Sequence, residues 1–138
     1  PEALPPHAPW PAAGDGAVTL TRHARTITGL PLPHPAIANV RLLDLDDDGR
    51  SEIVASDMRA GVVLAGTATG TTGLAVIADV PHPSHIERVD LDKDGAPDLL
   101  VGDLGSFQPA DHTSGAIVWL RRGKTGRYTP VTLAEKLG

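Results

Sequence analysis

The chain has 138 residues, 41% of them hydrophobic, and a formal net charge of −5. That length sets an expectation of one domain or part of one, and the negative balance excludes non-specific nucleic-acid binding, which needs a basic face to displace counterions. Cysteine is absent, which excludes disulfides, thiolate metal sites and cysteine nucleophiles together, and no run of about 18 apolar residues is present to cross a membrane as a helix.

Aromatic residues are confined to Trp10, Phe107, Trp119 and Tyr128. Aliphatic side chains must therefore supply the packing, which favours strands where they are β-branched. Fifteen Gly and thirteen Pro point to frequent turns rather than long helices. Residues 1–16, "PEALPPHAPWPAAGDG", are proline-rich and read as an extended arm. The opening on Pro1 rather than Met is read as the mark of a processed or excised product. Residues 17–36 hold "AVTLTR" and "RTITG", expected to be the outer hairpin of an incomplete unit.

Residues 37–80 and 81–138 then write one pattern twice. "DLDDDGRSE" (Asp44 to Glu52) returns as "DLDKDGAPD" (Asp90 to Asp98), a step of 46 residues. Val40, Leu42 and Leu43 precede the first loop, and Ile86 and Val89 the second. Ile53, Val54 and Ala55 follow the first; Leu99, Leu100 and Val101 follow the second. "GVVLAG" (Gly61 to Gly66) matches "GAIVWL" (Gly115 to Leu120), and "GLAVIADV" (Gly73 to Val80) matches "RYTPVTL" (Arg127 to Leu133). Short apolar runs between Gly, Pro and Asp have the length of strands, so each repeat is expected to hold four.

The step lies in the range of four-stranded propeller blades. The expected fold is therefore all-β: two four-stranded blades plus a partial blade of an incomplete propeller, with a sandwich of strands as the alternative. A third acidic loop would begin roughly in the mid-140s on this spacing. The chain is accordingly read as a piece of a longer propeller, or as one that completes its packing against a partner.

Aspartates at alternate positions place their carboxylates around one point when the backbone curls, and Gly49 and Gly95 permit that curl. Such a cluster calls for a hard dication with oxygen ligands, and calcium suits it better than magnesium because its geometry is flexible. The first expected site uses Asp44, Asp46, Asp48, the Arg50 backbone carbonyl and Glu52. The second uses Asp90, Asp92, Asp94, the Ala96 backbone carbonyl and Asp98. An EF-hand is excluded, since its loop closes with Glu at position twelve and those positions hold Ala55 and Val101. Two calcium ions would bring the formal charge from −5 to about −1. The alternative is a pair of solvated acidic turns without metal.

The pattern D-x-D-x-D-G-x-x-[DE], followed by "IVAS" or "LLVG", a Gly-led strand and "RRGKTGRYTPVTL", resembles the FG-GAP/VCBS repeat family. These repeats are blades of calcium-binding β-propellers in integrin α-subunits and many bacterial extracytoplasmic proteins. The resemblance spans roughly Ala38 to Leu133. It is closer to the bacterial VCBS form, because no Phe-Gly…Gly-Ala-Pro signature is present. It implies the blade fold, two bound Ca²⁺ and an extracytoplasmic location (periplasm, cell surface or medium). A non-enzymatic binding or scaffold role with protein partners follows more readily from it than any particular activity.

If the acidic loops join the first and second strands of each repeat at one end, the other turns emerge at the opposite end. These are "SDMRAG" (Ser56 to Gly61), "GDLGSFQPADHTSG" (Gly102 to Gly115), "PHPAI" (Pro33 to Ile37) and "PHPSHI" (Pro81 to Ile86). Loops on a rigid scaffold are where function usually sits, so His34, Asp57, Arg59, His82, His85, Asp103, Asp111 and His112 form a candidate binding face. Three uses compete: a partner surface of solvated loop residues, a transition-metal site at His82, His85, Asp103 and His112, and a His–Asp acid–base pair of a propeller-type lyase or hydrolase. The first is preferred, because "HPSH" is not a spacing fixed by strand or helix and the chain has no nucleophile elbow or phosphate loop. An accessory subunit of a larger extracytoplasmic assembly is the second functional reading. Trp119, on a central strand, is expected in the core.

Overall fold

The computed structural model describes residues 35–67, 73–108 and 111–137. The proline-rich arm, His34 and nearly all of the expected 17–36 hairpin lie outside the described residues.

Eight strands follow one another: β1 (Ile37–Leu43), β2 (Glu52–Asp57), β3 (Val62–Thr67), β4 (Ala75–Asp79), β5 (Pro83–Val89), β6 (Asp98–Asp103), β7 (Gly115–Arg122) and β8 (Tyr128–Leu137). They form two antiparallel four-stranded sheets in sequential order, β1-β2-β3-β4 and β5-β6-β7-β8. All four strands expected in each repeat are present. Among the described residues no helix is long and apolar enough to cross a membrane.

The repeat reaches down to irregularities. The β1–β2 ladder shifts register between Ile37 and Asn39, and the β5–β6 ladder shifts between Pro83 and His85, 46 residues later. A second shift lies between Val63 and Leu64 in β3 and recurs between Ile117 and Val118 in β7. Bulges bend and twist the strand that carries them, and the β7–β8 ladder carries one further shift, between Gly115 and Ala116, that has no counterpart in the first sheet.

The core lies between the sheets. Leu43, Val54, Val63 and Ala65 come from the first sheet; Ile86, Leu99, Val101, Val118 and Leu120 come from the second. Strand parity gives this core an unexpected property. Val54 sits where Leu100 sits in the second sheet, yet Val54 is in the core and Leu100 is on the opposite face. Conversely Leu99 and Val101, in the core, occupy the places of Ile53 and Ala55, which face away from it. The two sheets therefore meet through non-equivalent faces: the front of the first packs on the back of the second. Trp119 differs from expectation for this reason. It shares a face with Leu100, outside the inter-sheet core, and is half-buried there.

This stacking leaves β5 against β1 and β2, and β8 against β4. It also places all acidic loops at one end of the molecule and the β2–β3 and β6–β7 turns at the other. The chain crosses from β4 to β5 at that second end, where Val80 N–H donates to the Gly61 carbonyl at 3.0 Å.

Candidate functional site

Each acidic loop curls through two residues with left-handed backbone: Asp47 (φ 61°) and Gly49 (φ 81°) in the first, Lys93 (φ 59°) and Gly95 (φ 86°) in the second. Glycine carries no penalty there, whereas a lysine does. The curl is held by the carboxylates themselves. Asp44 Oδ2 accepts from Gly49 N–H at 2.9 Å, and Asp90 Oδ2 accepts from Gly95 N–H at 3.1 Å. Asp48 Oδ1 accepts from Arg50 N–H at 2.7 Å, and Asp94 Oδ1 accepts from Ala96 N–H at 2.8 Å.

The result is two triads, Asp44–Asp46–Asp48 and Asp90–Asp92–Asp94, each with ligand-capable oxygens within 4.8 Å of one another. Oxygens on opposite sides of one calcium ion lie up to about 5 Å apart at ordinary bond lengths, so a single dication can span either triad. The donor chemistry, all hard carboxylate oxygen, fits the same class of ion. Desolvation raises the pKa of the Asp44 carboxyl, but the backbone N–H groups of Gly49, Asp46, Asp47 and Asp48 together outweigh it and hold the carboxyl below its ordinary range.

The closing acids stand apart from the triads. Glu52 Oε2 accepts from Leu45 N–H at 2.9 Å, and Asp98 Oδ2 from Leu91 N–H at 3.2 Å, so each ties down the second residue of its loop. Asp98 is fully buried and also accepts from Trp119 Nε1–H at 2.8 Å and Arg122 N–H at 2.7 Å. It braces the loop against β7, a role that its position in the motif did not reveal. Arg50 and Ala96 enter the hydrogen bonding through their N–H groups.

Two arginines reach these loops from elsewhere. Arg88, on β5 of the second sheet, donates from Nε to the Asp44 carbonyl at 2.7 Å and pairs through Nη2 with the Asp47 carboxylate. Arg121 donates from Nε to Asp92 Oδ2 at 2.7 Å while lying over the Trp119 ring. The first loop is thus held by the neighbouring sheet and the second by its own.

At the opposite end the proposed binding face is only partly a face. Asp57 is fully buried, and its Oδ1 accepts from Ala36, Arg59 and Ala60 N–H groups at 3.1, 3.0 and 3.1 Å. Asp103 does the same work 46 residues later, accepting from His82 and Gly105 N–H groups at 3.2 and 2.8 Å. These two aspartates cap the turns and are not the solvated loop residues expected. The reason is local: a strand end that turns sharply frees N–H groups that need an acceptor.

Gly105 (φ 73°) is indispensable to the second turn, because a Cβ there would lie 2.2 Å from Ser114 backbone atoms.

The histidines do not converge. His82 Nδ1 is 3.8 Å from Asp103 Oδ1, beyond hydrogen-bond range. His85 projects from β5 and pairs with Glu87 at 2.8 Å, and His112 Nδ1 accepts from Ser114 N–H at 3.2 Å. Among the described residues only the two aspartate triads gather three metal-capable ligands, so His82, His85, Asp103 and His112 do not form one site.

Among the described residues, two adjoining grooves open to solvent at this end. One, of about 690 Å³, is lined by Met58, Arg59, Pro81, His82 and Phe107 among others. The other, of about 1050 Å³, includes Met58, Leu104, Phe107, Asp111, His112 and Ile117. Met58 and Phe107 line both, and the Arg59 guanidinium lies 5.2 Å from the Phe107 ring centroid. Phe107 was not among the residues that the sequence singled out, and only its rarity as an aromatic in an inserted loop could have flagged it. Comparison of the chain with protein-family models, curated proteins and solved structures yields no match.

Proposed function

We propose that the chain is a calcium-stabilised, non-enzymatic binding or scaffold module that works outside the cytoplasm, built from propeller-type repeats of the FG-GAP/VCBS kind. In this reading two Ca²⁺ ions occupy the aspartate triads as staples of the β1–β2 and β5–β6 turns. Fixing those turns fixes strand register, and through it the grooves at the far end, where Arg59, Phe107, Asp111 and His112 meet a protein partner.

The observation that carries the reading is the identity of the two loops. They share their backbone conformation, their N–H to carboxylate bonds and their gathered triads at a constant sequence step. A solvated acidic turn has no need to reproduce three converging carboxylates twice, since like charges repel unless something neutralises them. Extracellular calcium, near millimolar, suits sites of this kind, whereas cytosolic sites must be far tighter. The test is thermal unfolding with calcium and with excess chelator. Calcium raises the melting temperature if the staples hold; equal melting temperatures contradict the reading.

A second reading, an accessory subunit whose sheets are completed by other chains, is favoured by the apolar side chains on the outer face of the first sheet. Val40 is 57% and Leu42 63% exposed.

A further inference from the structure

The two triads match in their ligands but differ in what already touches them. In the second, Arg121 Nε–H donates to Asp92 Oδ2 at 2.7 Å, and Asp92 Oδ1 accepts from Asp94 N–H at 3.3 Å. Both oxygens of that central carboxylate therefore have donors. In the first, Asp46 Oδ1 accepts from Asp48 N–H at 3.4 Å, and among the described residues no donor reaches its Oδ2. Arg88, the arginine that reaches the first loop, binds the Asp44 carbonyl and Asp47, and so leaves the three triad carboxylates alone.

The difference traces to β7. Its ladder with β6 puts Trp119 where β3 has Ala65, and one residue further along Arg121 stands where β3 has Thr67. Arg121 is held from two sides rather than loose. Its guanidinium carbon lies 5.7 Å from the Trp119 ring centroid, and the indole is itself fixed by its Nε1–H to Asp98 Oδ2 at 2.8 Å. A stacked guanidinium gives up less rotamer freedom on making its hydrogen bond.

We infer that Arg121 is a resident counter-cation of the second triad, so that calcium fills Asp44–Asp46–Asp48 first and Asp90–Asp92–Asp94 only at higher concentration. The charge-assisted bond to Asp92 already neutralises part of the second cluster. Whether the guanidinium gives way or stays beside the ion, an entering dication meets a positive charge that the first triad lacks. Lys93, which stands where the first loop has Asp47, acts in the same direction, while Arg50, opposite Ala96, acts against it. Arg121 and Asp92 are both partly exposed, so the share due to Arg121 is about two- to fivefold in affinity, the size of a surface ion pair. This inference rests on the calcium reading above and adds the order of filling. The second sheet carries Ile117 and, on its β6–β7 turn, Leu104 and Phe107 of the larger groove. The half of the molecule that shapes that groove is thus the half stapled last.

Calcium titration followed by amide NMR tests this site by site, because Gly49 and Gly95 each donate into one triad. In the wild-type chain the Gly49 signal is expected to reach its midpoint at lower free calcium than the Gly95 signal. Arg121→Gln should lower the Gly95 midpoint about two- to fivefold and leave Gly49 where it was, a gain in affinity that damage to the fold would not produce. The wild-type Arg121 Nε–H signal should shift with the Gly95 midpoint, a readout that needs no variant to fold. A wild-type Gly95 midpoint at or below that of Gly49 overturns the inference. So does a Gly95 midpoint unmoved in Arg121→Gln, a shift of both sites together, or an Nε–H signal that stays still while Gly95 saturates. No response at either glycine would defeat the calcium reading itself, and this inference with it.

Discussion

The two ends of each sheet both rely on aspartate, and they use it in opposite ways. At the turn end a single carboxylate, Asp57 or Asp103, is buried and takes two or three backbone N–H groups. At the loop end three carboxylates crowd one exposed point, with ligand-capable oxygens within 4.8 Å of one another. The contrast shows how one side chain serves two purposes. A lone carboxylate that meets free N–H groups is a cap; several that meet each other leave an excess of negative charge that a cation relieves.

Breaking the contrast from the turn end carries the largest expected effect. Asp57→Ala leaves three N–H groups without their acceptor in a buried turn and is expected to cost about 2–4 kcal/mol. Denaturant unfolding should give the same loss with and without calcium. At the loop end the cost should be conditional. Calcium at a hundredfold excess over its dissociation constant adds about 2.7 kcal/mol for each site, and Asp92→Ala should forfeit that gain for one site only. Equal calcium dependence for the two variants would erase the distinction between cap and staple.

Arg88→Ala sharpens the comparison between the loops. It removes the link from the second sheet to the Asp44 carbonyl and Asp47 carboxylate, and a partly exposed pair of this kind is worth about 1 kcal/mol. The loss should appear in the first loop's amide exchange and leave the second loop unchanged.

Titration gives the smallest effects, with opposite signs at the two pH extremes. Hydrogen bonds from Arg41 and His85 lower the Glu87 carboxyl pKa. Its contribution is complete above the ordinary carboxylate value and disappears as pH falls through the depressed one. Burial raises the Tyr128 phenol pKa to about 12, against a partial lowering by Arg122. That contribution is present below pH 10 and is lost as pH rises towards 12. Tyr128 is the single tyrosine, so its ultraviolet titration reports the folded value directly.

Strands and acidic loops were legible in the sequence because Gly and Asp punctuate short aliphatic runs, and no long-range information was needed to place them. The face that each sheet buries was not legible. A step of 46 is even, so equivalent residues keep the same parity in both sheets, and periodicity alone treats Val54 and Leu100 alike. Only the stacking direction decides that one is core and the other is not, which is why Trp119 lies outside the core. The site was legible in the same uneven way. The spacing of Asp44, Asp46 and Asp48 forecasts their convergence, since alternate residues on a tight curl share a side. Nothing in the sequence near Asp98 announces that its oxygens are taken by Leu91, Trp119 and Arg122, because those donors arrive from β7 and from the loop itself. The dispersal of His82, His85 and His112 follows from strand geometry: His85 lies on a ladder facing outward, while His82 lies in the crossover before it.

The central claim is that the two loops are equivalent cation staples. Calorimetric titration of calcium into the metal-free chain tests it most directly, alongside Asp46→Ala and Asp92→Ala. The account predicts two ions for the wild-type chain and one for each variant. No binding heat in any buffer, or an unchanged stoichiometry in both variants, would contradict it.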